Sequence, residues 1–194
     1  MKQIMLIATV LLVTGVSGCA RYGPEPETVP YVDIQRYVGL WHEIASNQVF
    51  FNKGLVGVTA EYAVLNENQI SVLNSGYKNT IDEANKSSIT GVATVVDTET
   101  NSKLTVQFDM LFGALTKGKY WIVLLDEENY QYAVVTDNRQ FTLFVLSRTP
   151  EMDKDLYDSI LAKLEAKQVD TSRLKVTGTL NQGKQDPRDR QGVQ

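Results

Sequence analysis

The stretch that decides the fold is DIQRYVGLWHEIA, residues 33–45. From Trp41 onward its residues fit the two-residue period of a β-strand, in which alternate side chains point to the same face. If Trp41 points to the interior of the protein, Glu43 and Ala45 point there too. The stretch therefore predicts a first β-strand with one large aromatic residue and one carboxylate on its inner face.

Seven more β-rich segments follow this strand, and turn residues separate them. They are residues 58–65, 70–73, 89–96, 103–108, 120–125, 130–136 and 141–146. Most of the connections have hairpin length, which predicts antiparallel neighbours. An antiparallel sheet of this kind removes its exposed edges by closing on itself, and eight strands leave room for one small ligand. The predicted fold is all-β: an eight-stranded antiparallel up-and-down barrel.

One helix is predicted after the last barrel strand. Thr149 is suited to cap it, and Pro150 is suited to its first position. Apolar residues then recur every four positions, at Met152, Leu156, Ile160 and Leu164. Such a stripe predicts a single C-terminal helix packed outside the barrel. A final strand, residues 174–179, is expected to pair outside the barrel as well.

The N-terminus is typical of an export signal with a lipid anchor. Lys2 precedes an apolar run of about ten residues, which is too short to span a membrane. Small residues then lead into Cys19, the only cysteine in the chain. The segment resembles the bacterial lipoprotein signal, in which this thiol is fatty-acylated and cleavage leaves the cysteine first. By that resemblance, Ala20 after the cysteine points to the outer membrane, while an ordinary signal peptide with an incidental cysteine stays the alternative.

These features divide the chain into four parts. We expect a lipoprotein signal peptide at 1–18, a tether from lipidated Cys19 at 19–30, the barrel and helix at 31–179, and a disordered tail at 180–194. The tether is rich in proline and glutamate, which favours an extended spacer. The formal net charge is −4 with no basic cluster, so nucleic acid is not expected as a partner.

Two distant motifs make the chain similar to the lipocalin family. The first is Gly39-Leu40-Trp41, which matches the Gly-x-Trp of the family's first strand, preceded by a short helical turn that Asp33 can cap. The second is Leu146-Ser-Arg148-Thr-Pro150, whose arginine matches the family's residue at the end of the last barrel strand. Of a third family motif only Asp126 is present. Residues 41–45 resemble the branch that contains apolipoprotein D and the bacterial outer-membrane lipocalins, although His42 and Ser46 depart from it.

The resemblance implies a role for each residue that matches a family motif. Arg148 is expected to lie over the Trp41 indole and to close one end of the barrel, so that Gly39, Trp41, Asp126 and Arg148 are structural. Glu43 is expected near that end as a hydrogen-bonded structural carboxylate. The inner face is expected to bind a lipid-like ligand of the fatty acid or lysophospholipid class. Its predicted binding residues are Tyr62, Asn74, Phe108, Tyr120, Ile122 and Phe144.

The opposite end is expected to be an open mouth with an apolar rim. Phe50 and Phe51 stand in the loop after the first strand, where they form either a lid or a plug; the family's use of this loop favours the lid. Phe112 is expected at the same end. No metal or cofactor is predicted.

Two other classes of function compete with lipid binding. A hydrolase would need catalytic groups in the cavity, but the single histidine, His42, is expected to face away from it. A scaffold or interaction lipoprotein would need no ligand, but small inward residues such as Ala45 and Ala60 argue for an open interior. The sequence leaves open which lipid is bound, whether the role is storage, transport or membrane maintenance, and whether the protein forms a homodimer.

Overall fold

Eight strands close into a barrel, and a short ninth strand extends the same sheet by pairing with the first. The structure is a computed structural model, and it describes residues 24–49, 52–109 and 115–182. Antiparallel pairing runs in chain order from the first strand to the eighth, and pairing of His42 with Ser147 and of Ser46 with Phe144 closes the barrel. The elements are α1 (Ile34–Tyr37), β1 (Gly39–Ser46), β2 (Leu55–Asn66), β3 (Gln69–Lys78), a 3₁₀ turn (Glu83–Asn85), β4 (Lys86–Val95), β5 (Lys103–Asp109), β6 (Leu115–Leu125), β7 (Tyr132–Thr136), β8 (Leu143–Ser147), β9 (Glu151–Asp153), α2 (Lys154–Ala166), β10 (Lys175–Val176) and β11 (Thr179–Asn181). The predicted eight-stranded barrel with one C-terminal helix is confirmed.

A bulge in β1 changes which side chains face the interior. Glu43 pairs with Leu146, but Ala45 pairs with Val145, so Ile44 is the extra residue. A bulge of one residue reverses the alternation that follows it. Ile44 and Ala45 therefore pack in the outer core beneath α2. The expectation that Ala45 points into the barrel is wrong for this reason.

Helix α2 begins later than predicted. Its N-cap is Asp153, whose carboxylate accepts hydrogen bonds from the backbone N–H groups of Asp155 and Leu156 at 2.8 and 3.2 Å. Residues 151–153 instead form β9, which pairs in parallel with β11. Thr149 therefore does not cap the helix. The predicted apolar stripe is buried against the barrel through Met152, Ile160 and Leu164, with Leu156 partly buried.

The predicted last strand is split in two. β10 pairs with β1 and β11 with β9, and Gly178 lies between them. A Cβ at Gly178 would stand 2.9 Å from the carbonyl oxygen of Glu43. Only glycine allows this close approach, which also lets Gly178 N–H donate to the carbonyl of Ile44 at 2.9 Å.

Residues 24–32, here called the strap, pack along the barrel although the sequence predicted a free tether up to residue 30. Pro26 and Val29 are buried, and Val29 N–H donates to the carbonyl of Ile122 at 2.9 Å. Ser102 donates from its hydroxyl to that of Thr28 at 3.0 Å. The packed chain therefore includes part of the predicted tether, because Pro26 and Val29 bury their side chains. Residues 1–23 and 183–194 lie outside the described residues. They include the predicted signal peptide, Cys19 and most of the predicted C-terminal tail.

One end of the barrel is closed by the two residues that the family motifs single out. The guanidinium carbon of Arg148 lies 3.8 Å from the centroid of the Trp41 ring. The guanidinium donates to four backbone carbonyls, those of Arg36, Tyr37, Leu40 and Tyr130, at 2.7 to 3.2 Å. Trp41 donates from its indole N–H to the carbonyl of Tyr37 at 2.8 Å. These bonds fasten α1, β1 and the turn before β7 to the end of β8.

Replacing Arg148 with Met should destabilise the fold by about 2–4 kcal/mol, because one change removes the cation–π contact and several charge-assisted hydrogen bonds. Urea unfolding followed by tryptophan fluorescence measures the loss. The matched control is Lys78→Met, which removes an exposed charge from β3 and should change stability by less than about 0.5 kcal/mol. Equal stability of the two variants would contradict the role given to Arg148.

Candidate functional site

The barrel encloses a cavity of about 640 Å³ that opens at the end opposite Trp41 and Arg148. Its wall is mainly aliphatic and aromatic. Aliphatic side chains from β2 to β5 and from β7 and β8 supply most of it: Val58, Ala60, Ile70, Val72, Ala93, Leu104, Val106, Val135 and Leu146. The volume lies in the range of sites for small organic molecules, which are typically apolar with a few polar groups.

Three tyrosines form a hydrogen-bonded group in the cavity wall. The hydroxyl of Tyr120 lies 2.7 Å from that of Tyr37 and 3.1 Å from that of Tyr62. Tyr37 also packs against Trp41, with ring centroids 5.2 Å apart, so the group is continuous with the closed end. Three hydroxyls carry three protons and make two mutual bonds. One O–H therefore has no acceptor within the group and can be donated to a molecule in the cavity.

Burial keeps these phenols neutral. It raises the pKa of Tyr62 to about 12. Burial also raises the pKa of Tyr37 and of Tyr120 well above the ordinary value, and repulsion between the neighbouring phenolates adds to the effect. At neutral pH the group therefore presents hydroxyl donors and acceptors without a charge.

A buried carboxylate fixes the loop that follows β1. Glu43 is 5% exposed and accepts hydrogen bonds from Ser46 (2.8 Å), Asn52 (2.7 Å) and Thr177 (2.8 Å). Asn52, in turn, accepts a hydrogen bond from the backbone N–H of Val49 at 2.8 Å. Glu43 thus has the structural role expected of it, but its partners hold the loop beside the mouth, which the sequence did not indicate.

The mouth is bordered by residues from three separate parts of the chain. Phe141, from the turn between β7 and β8, is 58% exposed and also lines the cavity. Arg173 donates to the carbonyls of Gln140 and Phe141 at 2.8 and 3.3 Å and lies 5.4 Å from the Phe141 ring centroid. Asn47, just after β1, donates to the same Phe141 carbonyl at 3.4 Å.

Comparison with known proteins agrees with this architecture. A family model described as a lipocalin-like domain matches residues 32–179. The outer membrane lipoprotein Blc of Vibrio cholerae is 36% identical over 177 residues, which is 90% of this chain and 96% of that protein. The chain belongs to the lipocalin family. Blc of Escherichia coli K12 is 31% identical and covers 89% of this chain and 95% of its own length.

More distant lipocalins extend the comparison. Apolipoprotein D of Mus musculus is 27% identical and covers 81% of this chain and 82% of its own length. Among solved structures, insecticyanin from Manduca sexta superposes with a TM-score of 0.62 at 19% identity, covering 83% of this chain and 93% of that one. At this identity, insecticyanin supports the fold of this lipocalin and nothing further.

The lipocalin cavity brings together five of the nine residues predicted to bind ligand. Those that line it are Tyr62, Asn74, Phe108, Tyr120 and Phe144. Ile122 does not line it: the side chain is fully buried in the packed core, and its backbone bonds to Val29 and Ser102. The prediction for Ile122 is wrong because its side chain is fully buried in the packed core, although β6 pairs it with the cavity residue Val135. Phe50, Phe51 and Phe112 lie outside the described residues, so the choice between lid and plug stays a prediction.

Sequence reasoning missed several residues of the site. Tyr37 comes from α1 and reaches the cavity from outside the strands, so strand alternation cannot find it. Arg173 follows α2 and meets the mouth only because the chain returns to β1. Gly118 lines the cavity on β6, and a Cβ there would meet nothing within 4 Å. This exposed glycine leaves open space in the cavity wall.

Two buried amide oxygens in the cavity wall have no hydrogen-bond partner among the described residues. They are Oδ1 of Asn47 and Oδ1 of Asn74. A buried polar atom without a partner costs about 1–3 kcal/mol. The wall therefore contains polar groups whose hydrogen bonds the described residues do not complete.

The tyrosine group predicts a specific alkaline destabilisation. A phenol whose pKa is raised by folding contributes its full stability below pH 10, the unfolded value, and loses it as the pH rises toward 12. Wild-type protein should therefore lose melting temperature more steeply between pH 10 and pH 12 than Tyr62→Phe does. Melting followed by circular dichroism at intervals of 0.5 pH units tests this. Tyr31→Phe, at an exposed position, is the matched control, and parallel curves for all three proteins would refute the assignment.

Proposed function

We propose that this lipocalin binds one lipid-like amphiphile, of the fatty acid or lysophospholipid class, at a membrane to which lipidated Cys19 anchors it. The observation that carries the proposal is the enclosed cavity of about 640 Å³, with apolar walls and a few uncharged polar groups. An acyl chain gains roughly 0.8 kcal/mol for each methylene that it buries. The tyrosine group and Asn74 supply hydrogen bonds that can orient a head group or a polar atom of the chain.

The relatives support the membrane part of the proposal. The proteins from Vibrio cholerae and Escherichia coli are named outer membrane lipoproteins, and each aligns over about nine tenths of this chain. Cys19 follows a short apolar run, as the thiol of a lipoprotein signal does. In the described residues, no helix has the length and apolar character needed to cross a bilayer. We infer an outer-membrane location through the lipid anchor, with the signal peptide removed at residue 18.

The open interior favours ligand binding over the other two classes. A scaffold barrel has no need of an empty volume, yet Gly118 and Ala60 leave space where larger residues would fill it. Ala45 does not contribute to this space, because it packs in the core beneath α2. His42 lies between Trp41 and Glu43 on β1 and does not line the cavity. Its placement supports a binding protein and gives no support for a Ser-His-Asp hydrolase in this cavity.

Replacing Gly118 with Leu should abolish binding without harming the fold. The added side chain enters open space in the exposed part of the cavity wall, where Gly118 pairs with Val106, beside the mouth through which a bound chain would pass. We expect the affinity for a fluorescent fatty acid or lysophospholipid analogue to fall at least tenfold, with the melting temperature unchanged within about 2 °C.

The matched control is Gln107→Leu, which adds a leucine to the neighbouring strand next to Val106, the residue that pairs with Gly118, on the face away from the cavity. Fluorescence titration should give wild-type affinity for this variant. If delipidated wild-type protein binds neither analogue, or if both leucine variants bind like wild type, the proposed site is incorrect.

Replacing Cys19 with Ser should release the protein from membranes, since it removes the chain's only thiol. Expressed with its full signal, wild-type protein should float with the membrane fraction in a sucrose gradient, and its intact mass should show acyl groups. The serine variant should lack both properties. Flotation of the serine variant equal to that of wild type would rule out the anchor.

A further inference from the structure

The strap runs along the barrel wall from the open end to the closed end. At the closed end, the backbone N–H of Val32 donates to the carbonyl of Thr100, in the turn between β4 and β5. At the open end, Gln140 donates from its side-chain amide to the carbonyl of Pro24 at 3.0 Å. Glu27 forms an ion pair with Lys167 at 3.2 Å. The described chain therefore starts beside the mouth.

Gln140 fixes this start of the strap to the mouth. Its side chain is 4% exposed, and besides Pro24 it bonds to the carbonyl of Gln168 and the backbone N–H of Asp170, at 3.3 and 2.7 Å. Its backbone carbonyl accepts a hydrogen bond from the guanidinium of Arg173 at 2.8 Å. The next residue is Phe141, which lines the mouth. The buried side-chain amide of Gln140 thus joins the strap and the chain after α2 to the mouth.

The chain between Pro24 and Cys19 is too short for Cys19 to reach the closed end of the barrel. Five residues span at most about 18 Å when fully extended. Strand β1 alone, with eight residues, is about 26 Å long. A lipid on Cys19 therefore keeps Gln140, and with it the mouth, close to the membrane surface.

Exposed apolar side chains occur at both ends of the barrel, so they alone do not show which end faces the membrane. At the open end, Phe141 is 58% exposed. Ile81, in the β3–β4 connection at the same end, is 72% exposed. At the closed end, Leu65 and Val96 are 54% and 60% exposed. Only the open end has the anchor beside it. It also carries the exposed Arg173 next to Phe141, a pairing of cation and ring that suits the boundary between lipid phosphates and acyl chains.

We propose that the strap turns the open mouth toward the membrane, so that Phe141, Ile81 and Arg173 lie against the lipid head groups. This orientation rests on the lipid anchor proposed above. It gives the cavity a short path to lipids of the same bilayer, because the ligand need not cross water to enter. The partner surface is thus the membrane itself.

Site-specific fluorescence on the lipidated, full-length mature protein tests the orientation. Single variants Phe141→Cys, Ile81→Cys, Leu65→Cys and Val96→Cys each carry one reactive thiol, since acylation consumes Cys19. An environment-sensitive dye is attached, and the protein is reconstituted in phosphatidylethanolamine–phosphatidylglycerol vesicles that contain nitroxide-labelled lipid. Dyes at 81 and 141 should be quenched at least threefold more than dyes at 65 and 96. Equal quenching at both ends, or stronger quenching at 65 and 96, would overturn the proposal.

A lengthened tether separates the effect of the strap from that of the apolar rim. Twenty Gly and Ser residues inserted between Cys19 and Pro24 add about 25 Å of flexible reach. The quenching ratio should then fall toward one, while an unchanged ratio would overturn the role of the strap. Flotation distinguishes the two levels of failure. Wild-type protein that does not float refutes the anchor and the orientation together, whereas floating protein with equal quenching refutes the orientation alone.

Discussion

The stack of Arg148 on Trp41 is the interaction on which the rest of this lipocalin depends. A partly buried guanidinium is stable where its charge and its donors are satisfied. Here an aromatic face and four backbone carbonyls satisfy them. Those carbonyls belong to α1, β1 and the turn before β7, so the same group that closes the barrel also aligns its first and last strands.

The second constraint is the bulge at Ile44. Before it, β1 contributes Trp41 and Glu43 to the barrel interior; after it, Ile44 and Ala45 contribute to the core beneath α2. One strand thereby serves two cores, which is how a single helix packs firmly on a closed barrel. Gly178 makes the same region compact, since it allows the returning chain to approach Glu43 and Ile44 closely. The carboxylate of Glu43 joins the two sides through Thr177 and Asn52.

Sequence reasoning predicts the features that depend on periodicity and on local turn chemistry. The strand count, the antiparallel order, the buried face of α2 and five cavity residues follow from alternation together with the two family motifs. Features that depend on tertiary contacts are not predicted. Nothing local marks the bulge at Ile44, the burial of Val29 and its backbone bond to Ile122, or the return of Arg173 to the mouth. The start of α2 was misplaced because Thr149 and Pro150 form a good local capping signal, whereas Asp153 caps the helix once β9 and β11 have paired.

The barrel is thus closed at one end by Arg148 and Trp41, and the strap is fixed beside its open end. Native mass spectrometry of the mature protein, extracted from bacterial membranes in mild detergent, tests the central claim of lipid binding most directly. The account predicts a one-to-one complex whose extra mass, released on activation, is that of a single-chain amphiphile, and which Gly118→Leu does not retain. Wild-type protein that carries no such ligand and takes none up from an added lipid mixture would contradict it.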